Sequence, residues 1–416
     1  MSAPFRVVGA VVGTHADGIE ISIPRAKIGD GASVRTAAGT LFARVAAVGA
    51  GSATLTPFGM TDGIGVGDRV ELDPSANTLV LGTALLGRAF DPSGDPLDRR
   101  PRPNGVRSIV PAVVPDPVRR TPVDTPAWTG VRVIDGLLTI GRGARVGLFG
   151  APGCGKSTLL EAIVRGTRAD ATVIALVGER GREAERWLRD VGPRSSLICA
   201  TSDRSAAERV RAAEVAFAQA DRLRARGLHV LLVVDSLARV VTAAREKALA
   251  LGEPAGRGGY PPSVFAGLAR LVEGAGAADG GAITLIATVL SDGGDEREPL
   301  SDAARSLLDG HIVLSEALAR RGHYPAVDPL KSTSRTMGDV VSAEHAYAAR
   351  RVRAAIALLE ETEEARRLGL ETGQLDPVLV RARLAEARLE AFLQQGPESS
   401  SPGETLQELI ALADTL

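Results

Sequence analysis

The sequence predicts a three-part α/β chain: a small closed or sandwiched β-domain, a parallel-sheet core covered on both faces, and a wholly helical end. Three observations predict it. The first 88 residues alternate apolar and polar side chains between frequent turn signals, as in "GIEISIP", "TLFARVAAVGAGSATLTPF" and "DRVELD". From about Val131 short apolar runs alternate with helical stretches, the pattern of strands joined by helical crossovers. After about Val340 apolar residues recur only at helical spacing.

In chain order, the β-domain spans 1–88. The stretch 91–126 holds nine of the chain's 24 prolines, so it reads as extended connection leading into the core domain of 89–340. The core strands are "RVGLFG", "TVIALVG", "SLICA", "HVLLVVD", "AITLIATVL" and "HIVLSEAL". The helical domain spans 341–416. Asp376 caps one of its helices with Pro377 in the first turn, and Ser401 with Glu404 forms a capping box.

Composition bounds the function classes. The 416 residues exceed one ordinary core, and 44% hydrophobic with 24% charged residues is globular composition. A net charge of −1 leaves no electrostatic footprint for nucleic acid or an acidic membrane. Cys154 and Cys199, the two cysteines, are too few for a disulfide scaffold or a four-ligand zinc site, which suits a reducing compartment. The N-terminus has no signal-like apolar segment and no run of 18 apolar residues occurs, so the expected location is cytoplasmic. The five histidines, His15, His229, His311, His323 and His345, lack metal-ligand spacing and read as structural.

The strongest motif is "VGLFGAPGCGKSTLLEAIV", in which Gly150, Gly155, Lys156 and Ser157 fit G-x-x-x-x-G-K-[ST] between a strand and a helix. Across Gly150, Ala151, Pro152, Gly153, Cys154, Gly155, Lys156, Ser157 and Thr158 the backbone can wrap with its N–H groups inward, a nest for phosphate oxygens. Lys156 would bridge β- and γ-phosphates, and the Ser157 hydroxyl would ligate Mg²⁺. Cys154 lies where helix N-terminal N–H groups favour a thiolate, so alkylation is expected to inhibit and ATP to protect. Asp235 closes the strand "HVLLVVD"; such a residue is usually a helix cap, but beside a phosphate loop it reads as the Mg²⁺-shell carboxylate. Glu179 and Arg180 follow the apolar run Ala171–Val177 and its Gly178. A carboxylate at that strand end is placed either in a solvated turn or where it can polarise an attacking water.

Together "GAPGCGKSTLL", "VGERGRE", "VVDSLAR", "GEPAGRGGYPPSVFAGLARL", "DGHIVL" and "GHYPAVDPLKSTSR" resemble the export ATPases of type III machines, flagellar and injectisome, which are similar to the catalytic β-subunit of rotary ATP synthases. The resemblance covers essentially the whole chain. It implies a P-loop (RecA-like) core behind an N-terminal β-barrel, with Mg²⁺-dependent ATP hydrolysis powering release and unfolding of export substrates. It makes Glu179 the catalytic carboxylate, with Arg180 beside it facing the γ-phosphate region and Arg239 near the same phosphates. Tyr324 corresponds to the aromatic residue packed on adenine, and Arg335 to the arginine finger entering a neighbouring subunit's site. The implied partners are five further copies in a homo-hexamer, export substrates with their chaperones, a stator-like regulator and a central stalk. The implied place is the cytoplasmic face of the inner membrane, reached through the export machinery and without nucleic acid. "LEAFLQQGPESSSPGETLQEL" leans towards the injectisome type. Two departures stand out: Gly294 replaces a usual acid, and the N-terminal extension through which the regulator binds is short or missing.

A phosphate loop alone also suits a rotary synthase subunit, a hexameric RNA translocase or a nucleotide-binding scaffold. The translocase needs stacking aromatics, and residues 1–88 offer only Phe5, Phe42 and Phe58. Glu179 and Arg335 argue against a scaffold without turnover.

Overall fold

Alternation in the first stretch produces six antiparallel strands: β1 (Val8–His15), β2 (Gly18–Ser22), β3 (Gly31–Thr36), β4 (Gly39–Val48), β5 (Ser52–Pro57) and β6 (Arg69–Leu72). They close in the order β1-β2-β5-β4-β3-β6, which leaves no open edge. Inward residues such as Ile19, Ile21, Val34 and Leu55 are wholly buried and fill the barrel. The structure, a computed structural model, describes residues 7–15, 18–37, 39–111, 114–290, 299–368 and 376–416. Gly294 and Phe5 lie outside the described residues.

The proline-rich connection carries little regular structure. Short strands β7 (Thr78–Val80) and β9 (Arg107–Ile109) pair antiparallel, and β8 (Arg88–Phe90) is pinned by a 2.8 Å ion pair between Arg88 and Asp98. The core strands follow: β10 (Arg145–Gly150), β11 (Ala171–Val177), β12 (Ser195–Ala200), β13 (His229–Asp235), β14 (Gly276–Ala278), β15 (Gly281–Leu290), β16 (Gly310–Leu314) and β17 (Val327–Ser334). The chain folds as two compact units, Met1–Val118 with Ala171–Ala275, and Arg119–Asp170 with Gly276–Leu416.

In the first unit, β11 lies between β12 and β13, and β8 extends the row beyond β12, all parallel. Every residue of β11 is buried, as expected for a strand covered on both faces. Helices α1 (Arg132–Leu137) and α2 (Lys156–Gly166) belong to the second unit; those of the first are α3 (Gly181–Arg189), α4 (Ala206–Arg224), α5 (Leu237–Ala250) and α6 (Pro262–Glu273). A Ser205–Glu208 capping box starts α4 and the Ser236 side chain caps α5.

In the second unit, β10 lies parallel between β15 and β16. Two members run antiparallel: β14 on β15, and β17 on β16. The expected strand "HIVLSEAL" stops at Leu314, because the Ser315 side chain caps the short helix Glu316–Arg320. The helical end opens with Ser342 capping the 25-residue helix Ala343–Arg367. The run "DPVLVRARLAEARLEAFLQQ" divides at Ala385 into Pro377–Leu384 and Glu386–Leu393, with Asp376 capping the first. The Ser401–Glu404 capping box starts Pro402–Ala413. His345 is buried against this end, its Nε2 donating to the Gly136 carbonyl at 2.8 Å and its ring stacked on Trp128. Among the described residues, no helix is long and apolar enough to cross a membrane.

Candidate nucleotide site and catalytic residues

The phosphate loop joins β10 to helix α2 (Lys156–Gly166) in the second unit. Gly155 takes φ +86°, the left-handed region, and is the helix N-cap, with no capping side-chain hydrogen bond on the first-turn N–H groups. Those donors suit an anion. Pro152, Gly153, Ser157 and Thr158 are exposed, whereas Ala151, Gly155 and Lys156 are half-buried. The Lys156 ammonium lies along the loop and donates to the carbonyls of Gly150 and Ala151 at 2.6 and 2.7 Å. Cys154 is only 2% exposed. That corrects the expected alkylation: a thiol sealed beneath the loop lacks the access that the reaction needs.

Tyr324 stands next to this loop. A side-chain carbon added at Gly155 would lie 3.3 Å from its ring. The ring is about half exposed and walls a cavity of about 340 Å³ shared with Arg132, Gln394 and Gln395. Gln395 is fixed on three sides: its N–H donates to the Tyr324 carbonyl at 2.9 Å, its amide oxygen accepts from Arg132 N at 2.8 Å, and its amide nitrogen donates to the Gly130 carbonyl at 2.8 Å. Arg132 reaches back to the carbonyls of Ala391 and Gln394 and to Glu408 at 3.0 Å. An aromatic face opposed by amides suits a planar heterocycle. Sequence reasoning missed Arg132, Gln394 and Gln395; the only signal was the paired glutamine after an apolar helical run.

Arg335, also in the second unit, is exposed, with its backbone N–H on the Asp309 carbonyl at 2.9 Å and its guanidinium 3.5 Å from the Arg305 carbonyl. Arg305 lies over the Phe149 ring, and the half-buried His311 packs edge-on to it. Burial, then Arg305 and Arg335, hold His311 below the usual imidazole range.

Glu179, Asp235 and Arg239 come together in the first unit. Gly178 turns the chain at φ +71°, and any side chain there would lie within 2.8 Å of Arg239. Glu179 is 9% exposed and its carboxylate accepts from Arg239 Nε at 2.9 Å. Burial pushes its pKa up to about 7, a hydrogen bond with Glu183 and the Asp235 charge push the same way, and Arg239 opposes them. Asp235 ends β13 in register with Leu176 of β11. The Ser236 hydroxyl accepts from Arg239 N at 3.3 Å, so one cap orients the arginine. Arg180 follows as the N-cap of α3 and is exposed.

Ser157 and Asp235 are the residues assigned to Mg²⁺. A hydroxyl and one carboxylate are hard oxygen donors of the kind Mg²⁺ takes, the rest of its shell coming from water and phosphate. Among the described residues, no group of three or more His, Cys, Asp or Glu side chains could hold a metal by itself.

Residues 130–334 match the ATP synthase alpha/beta family, nucleotide-binding domain, so the class is that of a P-loop ATPase. Residues 341–411 match the T3SS EscN ATPase C-terminal domain. The chain is 40% identical over 425 residues to the type 3 secretion system ATPase of Pseudomonas syringae pv. syringae, covering 99% of this chain and 95% of that one. It is 42% identical over 405 residues to the flagellum-specific ATP synthase of Treponema pallidum, covering 95% and 91%. The assembled ATPase EscN of the enteropathogenic E. coli type III secretion system superposes with a TM-score of 0.91 at 38% identity, covering 97% of this chain and all of that one. A second EscN structure, in complex with its central stalk EscO, gives 0.89 at the same identity. The chain belongs to the type III secretion and flagellar export ATPase family.

Proposed function

We propose that this ATPase uses Mg²⁺·ATP, works as a homo-hexamer and powers protein export by releasing and unfolding substrates and their chaperones. The loop Gly150–Thr158 receives the phosphates, with Lys156 leaving its carbonyls for the β- and γ-phosphates. Ser157 and Asp235 hold Mg²⁺, which when bound neutralises phosphate charge. Tyr324 takes one face of adenine, with Gln394 and Gln395 offering amide groups at its edge. Glu179 orients the attacking water and accepts its proton as the water oxygen bonds to the γ-phosphorus and the bond to the β-phosphate oxygen breaks. Arg239 holds that carboxylate, while Arg180 and a neighbouring copy's Arg335 offset charge on the transferring group.

The observation that carries the reading is the Glu179 carboxylate, nearly buried, held at 2.9 Å by Arg239 and poised near pH 7 at the mouth of a buried strand. Carboxylates shifted in this way by burial and a specific charge partner cluster at functional sites. EscN has been seen assembled and with a central stalk, which supports a ring and a stalk partner here. Steady-state ATPase assays with and without EDTA test the reading. Turnover should vanish with EDTA, return with Mg²⁺ and fall by about 10²–10⁴ in Glu179→Gln. EDTA-resistant turnover, or a Gln variant as fast as wild type, would refute it.

A further inference from the structure

One cavity lies wholly within the first unit. It measures about 710 Å³, within the range of sites that hold drug-sized ligands. Its walls are apolar: Val45 from β4, Val110, Phe217 from α4, Val241 and Leu251 at α5, and Leu268 from α6. One part is polar. Arg44 and Glu214 face each other at 2.9 Å, and Lys247 lines the same chamber. Arg211 stands behind, 2% exposed, stacked 3.9 Å over Phe58 and donating to the Val110 carbonyl at 3.2 Å.

The hydrogen bonding there is incomplete. Arg211 Nε and Nη2 are buried without an acceptor, and Thr56 Oγ1 and Asn77 Oδ1, both in the lining, have no partner. Unmet buried donors are costly, and Thr56 Oγ1 is the one that faces the cavity; the Arg211 nitrogens lie behind the lining, and Asn77 Oδ1 is an acceptor. The charges agree: Arg44, Lys247 and Arg270 line the cavity against Glu214 and Glu253, with Arg211 adding a cation behind. Burial opposes ionisation of Glu214, yet Arg44, Arg211 and Lys247 together hold it below the usual carboxylate range. Its charge therefore remains, and the surplus is cationic.

We propose that this cavity binds a small amphipathic anion: an acyl chain in the apolar walls, with one carboxylate at the Arg44–Lys247 end. The site has a route to the catalytic residues. Val240 and Val241 of its wall follow Arg239 directly on α5, and Arg239 holds Glu179. Binding stands on the cavity alone, whatever the outcome for the ATPase reading; only its effect on turnover rests on that reading.

The test is calorimetric titration of the full chain with dodecanoate below its micelle concentration. The expected result is one site per chain with a Kd in roughly the micromolar range. Ala244→Trp and Gly267→Trp each place bulk in the lining, and a carbon added at Gly267 meets no atom within 4 Å, so that helix accepts it. Both should weaken binding by about tenfold or more while ligand-free thermal unfolding stays as in wild type. Lys247→Gln should weaken it about tenfold through the lost charge-assisted bond. Dodecyltrimethylammonium, with the same tail and the opposite charge, should bind at least about tenfold more weakly. Should Ala244→Trp fail to fold, Gly267→Trp decides alone. Absence of saturable dodecanoate binding, binding untouched by Gly267→Trp, or equal affinity for the cationic detergent overturns the proposal.

Discussion

Near pH 7 the Glu179 side chain stands at the midpoint of its own titration, because burial raises its pKa to about 7. Ionised, it can take a proton from water; protonated, it cannot. kcat/KM, which reports the free enzyme, should therefore rise with pH through about 7 and level off above it, and the residual activity of Glu179→Gln should lack that limb. The same shift acts on stability with a definite sign. Between the ordinary value of 4.5 and about 7 the folded chain holds a proton that the unfolded chain has lost. The contribution is thus fully present below about pH 4.5 and is lost as pH rises through 7. Glu179→Gln should melt higher than wild type at pH 8, by the equivalent of about 1–3 kcal/mol, and show no such gain at pH 4. Equal melting curves at pH 8 would contradict the burial argument. Cys154 gives a simpler expectation: maleimide should label it slowly in the native protein and rapidly in urea.

At the scale of elements, the pocket behind Tyr324 depends on the break between helix Glu386–Leu393 and helix Pro402–Ala413, where Gln394 and Gln395 leave the helix. Gln395→Ala removes the bonds to Arg132 and Gly130 without touching the phosphate loop. It should raise KM for ATP about tenfold with little change in kcat, since uniform binding is lost and not transition-state contacts. A kcat loss at unchanged KM would move the role of this segment to chemistry. Ser401→Ala should cost about 1 kcal/mol by unfolding titration through loss of the capping box.

Most of these elements were legible because each carries a local signature. Strict alternation marked β2 and β5, an unbroken apolar run marked β11, and Asp376 and Ser401 marked their own helix starts. What escaped has physical reasons. β17 contains Pro329, Lys331 and two serines, a pattern that argues against a strand, yet it is the outermost strand beside β16, where a proline costs no ladder bond. The break at Ala385 occurs in a sequence of good helix formers, so only packing distinguishes it. Burial of Cys154 could not be read from a loop whose neighbours are glycines. Gln395 meets Tyr324 across 71 positions of chain, and no local period announces such a meeting. The phosphate loop, Asp235 and Glu179 stand out for the opposite reason: the chemistry proposed for them requires particular residue types at fixed places beside strands.

At the scale of the whole molecule, the exposure of Arg335 is the telling feature. Its guanidinium has a single long contact with a backbone carbonyl, and no carboxylate pairs with it among the described residues. A finger supplied from a neighbouring copy is worth roughly 10³–10⁵ in kcat in well-studied NTPases. Arg335→Ala should bind ATP as tightly as wild type and hydrolyse it very slowly at any protein concentration. Wild-type activity per chain should rise steeply with concentration, because an incomplete ring leaves open sites. The most direct measurement mixes Arg335→Ala with Glu179→Gln, each nearly inactive alone, and follows phosphate release while mass analysis confirms mixed rings. If each site takes Glu179 from one copy and Arg335 from the next, some interfaces in a mixed ring hold both wild-type groups, and activity should reappear well above either parent. Mixed rings that stay as inactive as the parents, or wild-type activity per chain that is flat down to the monomer, would contradict a site shared between copies.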